Sequence, residues 1–220
     1  RLLGCYQNGQ FSKAEKLALE ITQDFPKHQF AWKVLGAVLS ATGKNSEALD
    51  ANRTAVSLSF QDAEAQNNLG NTFIKLERFG EAEASFRQAI ALKPNFAEAQ
   101  YNLGITLQEL GKLEEAEASY AQAIVLKPDY SEARSNLGII LQELGRLDEA
   151  EAIFRQAIAL HDYAETHNNL GVTLKELGRL EDSEESFRQA IALKPDFVEA
   201  YINLGNAQKE MSRRSEAEES

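Results

Sequence analysis

The chain of 220 residues holds one cysteine, one methionine, one tryptophan and four prolines. A lone Cys5 excludes an intramolecular disulfide, so no covalent cross-link supports the fold, and the redox compartment stays open. No run of about 18 apolar residues is present, which excludes a membrane-spanning helix. No basic segment followed by an apolar stretch opens the chain, so no secretory signal is visible and a cytoplasmic setting is expected. Because the chain opens at Arg1 and closes at Ser220 inside a repeat, it is expected to be a piece of something longer. Cations are scarce too: 23 Lys and Arg stand against 34 Asp and Glu, a net charge of −11. Nucleic acid, whose phosphates demand a basic surface, is thereby excluded as a partner. The remaining composition, 43% apolar and 26% charged, suits a folded chain and not a disordered one.

What the chain does have is a beat. The dipeptide Leu-Gly stands at Leu35-Gly36, Leu69-Gly70, Leu103-Gly104, Leu137-Gly138, Leu170-Gly171 and Leu204-Gly205, at intervals of 34 residues with one of 33. A period in this range marks stacked supersecondary units, each too small to bury its own apolar face alone. Placing Leu-Gly at slots 7 and 8 of a 34-residue unit gives repeats 29–62, 63–96, 97–130, 131–163 and 164–197. Partial repeats at 1–28 and 198–220 complete a single array over residues 1–220. Slots 4, 7, 8 and 11, and again 17, 20, 24 and 27, have the spacing of two amphipathic helices and are read as their inward stripes. Gly111 divides the pair in the unit 97–130, and Pro128 stops its second helix. Each unit is thus expected to be helix, tight turn and antiparallel helix. Glycine inside a helix costs about 1 kcal/mol relative to alanine. Gly70, Gly104, Gly138, Gly171 and Gly205 are therefore expected to allow close helix approach, with Ala82, Ala116 and Ala150 opposite and Phe86, Tyr120, Phe154 and Phe187 filling between units.

The order Leu-Gly, Gly, Ala, aromatic, Ala, Pro resembles the tetratricopeptide repeat (TPR), and Trp32 stands where that family's first aromatic is expected. The likeness covers essentially the whole chain. It implies an all-α fold, a right-handed α-α superhelix (TPR solenoid) of antiparallel helix pairs. The sequence is also similar to the superhelical TPR arrays of O-linked N-acetylglucosamine transferases and of related bacterial proteins.

Departures from the repeat are local. Asn52 replaces the aromatic of slot 24, Phe60 the proline of slot 32, and Ser183 the small alanine of its unit. Gln208 and Arg214 leave the last unit with a poor core, either a polar cap or a damaged repeat. The sequence Asn52-Arg53-Thr54 fits a glycosylation sequon but falls within a helix and is read as chance. Near His161 one residue is missing together with the proline, so this junction is expected to stack at a different angle from its neighbours.

Catalytic and cofactor motifs are absent. No phosphate loop, dinucleotide fingerprint, paired-cysteine zinc pattern or HExxH motif occurs. His28, His161 and His167 lack ligand spacing, and carboxylates sit on repeated solvent-facing slots without a unique constellation. The chain is expected to be no enzyme and to hold no metal or cofactor.

The face opposite the inward stripe of each first helix falls at slots 2, 6, 9 and 13. By resemblance to the family that face lines a concave groove. Slot 6 reads Asn68, Asn102, Asn136, Asn169 and Asn203. Slot 2 includes Glu98, Glu132 and Glu165, and slot 9 includes Ile105, Ile139 and Val172. Asparagine amides both donate and accept, so this ladder suits the backbone of an extended peptide. The carboxylates would favour a neutral to basic partner. The competing structural reading has slot-2 glutamates supporting helix N-termini, and Glu109, Glu143, Glu176 and Glu210 pairing with Lys112, Arg146, Arg179 and Arg213 three residues on. The carboxylate clamp of chaperone-tail TPR domains is excluded. Lys33 and Asn68 match it, but Ala37, Glu98 and Asn102 occupy its other positions. A protein-interaction scaffold is the leading expectation. A recruiting arm of a larger group-transferase and an end-to-end self-assembly module are the alternatives.

Overall fold

The computed structural model describes the backbone of residues 1–218 and the side chains of residues 1–215. Among the described residues there are thirteen helices and no strand. In order they are α1 (Leu2–Gln7), α2 (Phe11–Asp24), α3 (Gln29–Ala41), α4 (Asn45–Leu58), α5 (Ala63–Lys75), α6 (Phe79–Leu92) and α7 (Ala97–Glu109). There follow α8 (Leu113–Leu126), α9 (Ser131–Glu143), α10 (Leu147–Leu160), α11 (Ala164–Glu176), α12 (Leu180–Leu193) and α13 (Val198–Glu218). The chain divides into two compact units, Arg1–Glu115 and Ala116–Ser220, the division falling inside α8. In the first, α3 packs on α4 and α5 on α6, with α2 against α3, α4 against α5 and α6 against α7. The second repeats the scheme with α9 on α10, α11 on α12, α10 against α11 and α12 against α13.

Sequence chemistry explains each turn. Within a pair the chain reverses at a left-handed glycine: Gly9, Gly43, Gly111, Gly145 and Gly178 have φ of 69 to 78°. The N–H of the following residue then bonds the carbonyl five back, as in Lys44 to Leu39, Arg146 to Leu141 and Arg179 to Leu174, at 2.8 to 2.9 Å. That is the Schellman closure, which satisfies helix-end carbonyls and suits glycine. Glu77 holds the same place at φ 56°, without glycine's freedom from Cβ strain. Between pairs a second turn recurs. Its fourth residue donates to its first, as in Phe96 to Lys93, Tyr130 to Lys127 and Phe197 to Lys194, at 3.0 to 3.1 Å. In each the lysine ammonium lies 4.4 to 4.9 Å from the aromatic ring centroid.

The shortened junction has no such turn. His161 and Tyr163 are extended, Tyr163 N–H reaches only to His161 O at 3.1 Å, and the two rings stack at 5.6 Å. A His–Tyr stack has replaced a Lys–aromatic contact.

Slots 7, 8 and 11 of the stripe read in the sequence are buried, as at Leu69, Leu103, Leu137 and Leu170 and at Phe73, Leu107, Leu141 and Leu174. Slot 4 is mixed: Gln66 is buried, Gln100, Arg134 and His167 are half-buried, and Tyr201 is exposed. The deepest positions include slots 3 and 10, where Ala65, Ala99 and Ala133 and Thr72, Thr106, Ile140 and Thr173 are sealed. Each of these helices has neighbours on two sides, so its buried arc is wider than a single stripe. The glycine–aromatic contact lies within a pair, not between units. A Cβ on Gly70 would stand 2.6 Å from the Phe86 ring, and the same holds for Gly138 with Phe154 and Gly171 with Phe187. The rings of Phe86, Phe154 and Phe187 are wholly buried, so they cannot move aside.

Substituted positions are accommodated individually. Ser183 is buried and donates to Gly171 O at 2.7 Å. Phe60, in the proline slot, is exposed, and Asp62 caps α5 by accepting from Ala65 N at 3.0 Å. Asn52 is wholly buried, which leaves its sequon unreachable by a glycosylating enzyme. The last repeat lacks a turn glycine, Ser212 standing in its slot, and α13 runs on as one helix. Among the described residues Gly205 meets nothing within 4 Å, and Val198, Tyr201 and Ile202 are exposed.

Candidate functional site

Within the first unit, α5 and α7 present Asn68 and Asn102 on the same side, both half-buried. Asn102 does not swing freely: its Nδ2 donates to Asn67 Oδ1 at 3.1 Å. Asn67 is buried, so this bond fixes which way the Asn102 amide faces and leaves its oxygen as an acceptor. The two ladder asparagines wall a hollow of about 400 Å³ together with Asn71, Lys75, Ile105 and, from α3 and α4, Ala37, Ser40 and Asn52. Lys75 Nζ donates to Ser40 O at 2.6 Å. No carboxylate lines this hollow.

A second hollow of about 280 Å³, sharing Tyr6, Ala37 and Asn68 with the first, is lined by Phe30, Phe96, Lys33, Glu64 and Glu98 among others. Lys33 is committed to structure: its ammonium contacts Glu64 at 2.7 Å and Asp62 at 3.1 Å. Burial works against its charge, but the hydrogen bonds and charges of Glu64 and Asp62 outweigh burial and raise its pKa. Burial likewise opposes ionisation of Asp62, and bonds from Ala65 N–H, Gln29 and Lys33 outweigh it, holding the carboxyl below its ordinary value. A lysine already neutralised by two carboxylates cannot hold a ligand's carboxylate, a second reason beside Glu98 against a clamp.

In the second unit the half-buried ladder positions are Asn136, Asn169 and Asn203. Asn203 Nδ2 donates to Asn168 Oδ1 at 3.0 Å, and Asn168 Nδ2 in turn donates to Glu199 Oε1 at 3.2 Å. Asn136 Nδ2 lies 3.5 Å from Tyr120 Oη. Ile139 and Val172 are half-buried in α9 and α11, as Ile105 is in α7 of the first unit. Glu98, Glu132 and Glu165 are all exposed. Glu165 contacts Lys194 at 2.9 Å, a hydrogen bond that lowers its pKa, and Glu132 accepts from Ser131 at 3.2 Å.

Most of the cations that sequence spacing set beside the slot-13 glutamates have contacts on other helices. Lys112, Arg146 and Arg179 reach to slot 21 of the preceding repeat: Lys112 to Glu83 at 2.9 Å, Arg146 to Glu117 at 2.8 Å and Arg179 to Glu151 at 2.8 Å. Lys44 does the same with Glu15 at 2.6 Å. Glu210 pairs with Arg214, four residues on, not with Arg213. Three-residue spacing on one helix permits a contact, but the turn residue ahead of the second helix points its side chain at the neighbouring repeat.

Sequence reading by repeat slot missed Asn67 and Asn168, the slot-5 residues that orient the ladder. The doubled Asn-Asn before Leu-Gly at 67–68 and 168–169 was the available signal. It also missed Asn52 as a wall of the first hollow, noting only that an aromatic was absent. Among the described residues, no three His, Cys, Asp or Glu side chains are grouped to hold a metal ion, and no helix is long and apolar enough to cross a membrane. His28 caps α3, its Nδ1 accepting from Ala31 N at 3.2 Å, and His167 contacts Asp162 at 2.6 Å.

Helix pairs turned by left-handed glycines, packed on glycine–aromatic contacts and carrying polar ladders on their first helices define a TPR protein, a class of protein-interaction scaffolds. The chain belongs to the family described as the cilia and flagella-associated protein 70 C-terminal domain, a TPR family whose model matches residues 29–220. No curated protein matches the chain in sequence. Solved structures do match. YrrB, described as a TPR protein with an unusual peptide-binding site, is 25% identical with a TM-score of 0.71, over 86% of this chain and 97% of that one. PilW, described as a type IV pilus biogenesis factor, shares the fold at a TM-score of 0.83 and 23% identity, over 92% of this chain and 94% of its own. The pilF protein of Pseudomonas aeruginosa shares it at 0.81 and 17% identity, over 95% and 94%.

Proposed function

We propose that the chain is a non-catalytic scaffold that binds an extended peptide segment along the asparagine faces of its first helices. The Leu-Gly repeat frame, a single array over residues 1–220, is part of this reading. One observation carries it: Asn102 and Asn203 are each held by a buried slot-5 asparagine, so their oxygens are pre-set as acceptors. Fixed amides that need no reordering bind a peptide backbone at lower entropic cost than free ones. A peptide-binding site described for YrrB, the most similar in sequence of the three structures above, supports the same class of partner. Half-buried Ile105, Ile139 and Val172 would add short apolar contacts. Glu64 and Glu165 are neutralised by Lys33 and Lys194, so amides, not net acidity, would dominate recognition.

The test is alanine replacement of Asn102, Asn136 and Asn169 together, read as capture of peptides from an array of extended 12-residue sequences. Loss of most captured signal with unchanged helical content is expected. Capture equal to that of the unaltered chain overturns the proposal.

A further inference from the structure

The slot-2 ladder of glutamates, Glu64, Glu98, Glu132, Glu165 and Glu199, does not extend to the first full repeat, where Phe30 takes the place. Phe30 stays out of the core: it is 38% exposed and lines the 280 Å³ hollow with Leu3, which is 44% exposed. Phe96, at the N-cap of α7, adds a second, half-buried ring to the wall. The charges in and beside the hollow do not cancel. Lys33 is held by Glu64 and Asp62, and Lys93 lies on the Phe96 ring, 4.7 Å from its centroid. Glu98 lines the hollow, is exposed and, among the described residues, has neither hydrogen bond nor ion pair. Its counterparts Glu64 and Glu165 each contact a lysine. Two cations therefore stand against three carboxylates, and Glu98 is left over in a wall that also offers apolar surface to water.

We propose that this hollow is a specificity subsite that takes the side chain of an arginine in the bound peptide. The inference rests on the peptide-groove reading and names what one position of that peptide carries. Amides would hold the backbone, and this hollow would read one side chain. The methylene stem of an arginine would cover Phe30 and Leu3, while its guanidinium gave Glu98 two parallel N–H bonds. A carboxylate would meet Glu98 and Glu64, both anionic. A hydrocarbon would cover the apolar wall but take water from Glu98 without replacing it. A lysine has the charge, but its ammonium is a strongly hydrated point that cannot match the planar fork of a guanidinium on a carboxylate. Only a long apolar stem ending in a planar cation satisfies both parts of the wall.

The experiment uses the ¹⁵N-labelled chain and three probes: the N-acetyl methylamides of arginine, lysine and citrulline, the last being an uncharged mimic of arginine. Backbone amide signals of Phe30, Phe96 and Glu98 are followed during titration. The arginine probe is expected to shift them saturably and to bind at least about tenfold more tightly than the citrulline probe, the equivalent of ~1.4 kcal/mol. The lysine probe is expected to bind more weakly than the arginine probe. Phe30 and Glu98 are both exposed, so Phe30→Ala and Glu98→Gln are expected to fold with unchanged helical content. Glu98→Gln should remove the preference for arginine over citrulline, and Phe30→Ala should weaken both probes several-fold. Equal binding of the arginine and citrulline probes overturns the proposal, as do lysine binding as tight as arginine binding, absence of any saturable shift, or affinities unchanged in either variant. Failure of the groove reading looks different. Array capture would then survive loss of Asn102, Asn136 and Asn169, while the arginine probe still shifts Glu98.

Discussion

Replacing Gly70 by alanine tests whether the repeated glycine exists for packing. Two opposing effects set the sign. Alanine is the better helix former by about 1 kcal/mol. Against that, the new Cβ would lie 2.6, 2.7 and 2.9 Å from three atoms of the Phe86 ring. Real Cβ atoms do not approach so closely, and Phe86 is completely buried. Overpacking of this kind costs about 1–3 kcal/mol, so Gly70→Ala should destabilise by roughly 0–2 kcal/mol after the propensity gain. Gly205 holds the same slot but, among the described residues, has no atom within 4 Å, so Gly205→Ala should stabilise by up to about 1 kcal/mol. The two variants thus differ in sign, or by about 1–3 kcal/mol. Urea unfolding followed by circular dichroism measures both. Repeat arrays can unfold in steps, so the comparison is of midpoints in the transition containing each repeat. Stabilisation of Gly70→Ala equal to that of Gly205→Ala would refute the packing account, and the glycine would then be a legacy of duplication.

Two further outcomes follow from single positions. Glu77→Gly should stabilise by up to about 1 kcal/mol in the same assay, because Glu77 holds φ 56° where the other turns hold glycine; a loss of stability would show that its side chain compensates. Asp62→Ala should cost about 0.5–2 kcal/mol by removing a helix cap. Because bonds to the carboxylate outweigh burial and depress its pKa in the folded chain below 3.8, the Asp62 contribution is present above that value and is lost as pH falls through the folded pKa. The stability difference between the chain and Asp62→Asn should therefore shrink on acidification from pH 5 to pH 2, and a constant difference would count against the carboxylate's role.

Much of the fold was legible because its causes are local and recur in phase. A turn glycine in most repeats, a proline or its substitute closing the second helix, and Leu-Gly against an aromatic are short-range rules. Repetition turns each weak signal into a strong one. The ladder positions Asn68, Asn102, Asn136, Asn169 and Asn203 were legible for the same reason, being one slot read five times. Ion pairing was not. Arg146 is three residues from both Glu143 and Glu149 in sequence, yet it contacts Glu149 at 2.6 Å and, 29 residues back, Glu117 at 2.8 Å. Sequence spacing describes one helix, while these partners face one another across two.

The sequence by itself determined the all-α class, the helix pairs and the asparagine ladder, since period and turn chemistry need no knowledge of neighbours. Only the tertiary structure decided how the amides are used. It showed Asn102 and Asn203 oriented by Asn67 and Asn168, Lys33 spent on Asp62 and Glu64, and Asn52 buried with an unpaired oxygen beside a hollow. Each of these depends on which residue of one repeat meets which residue of the next, and that pairing is set by packing and not by spacing along the chain.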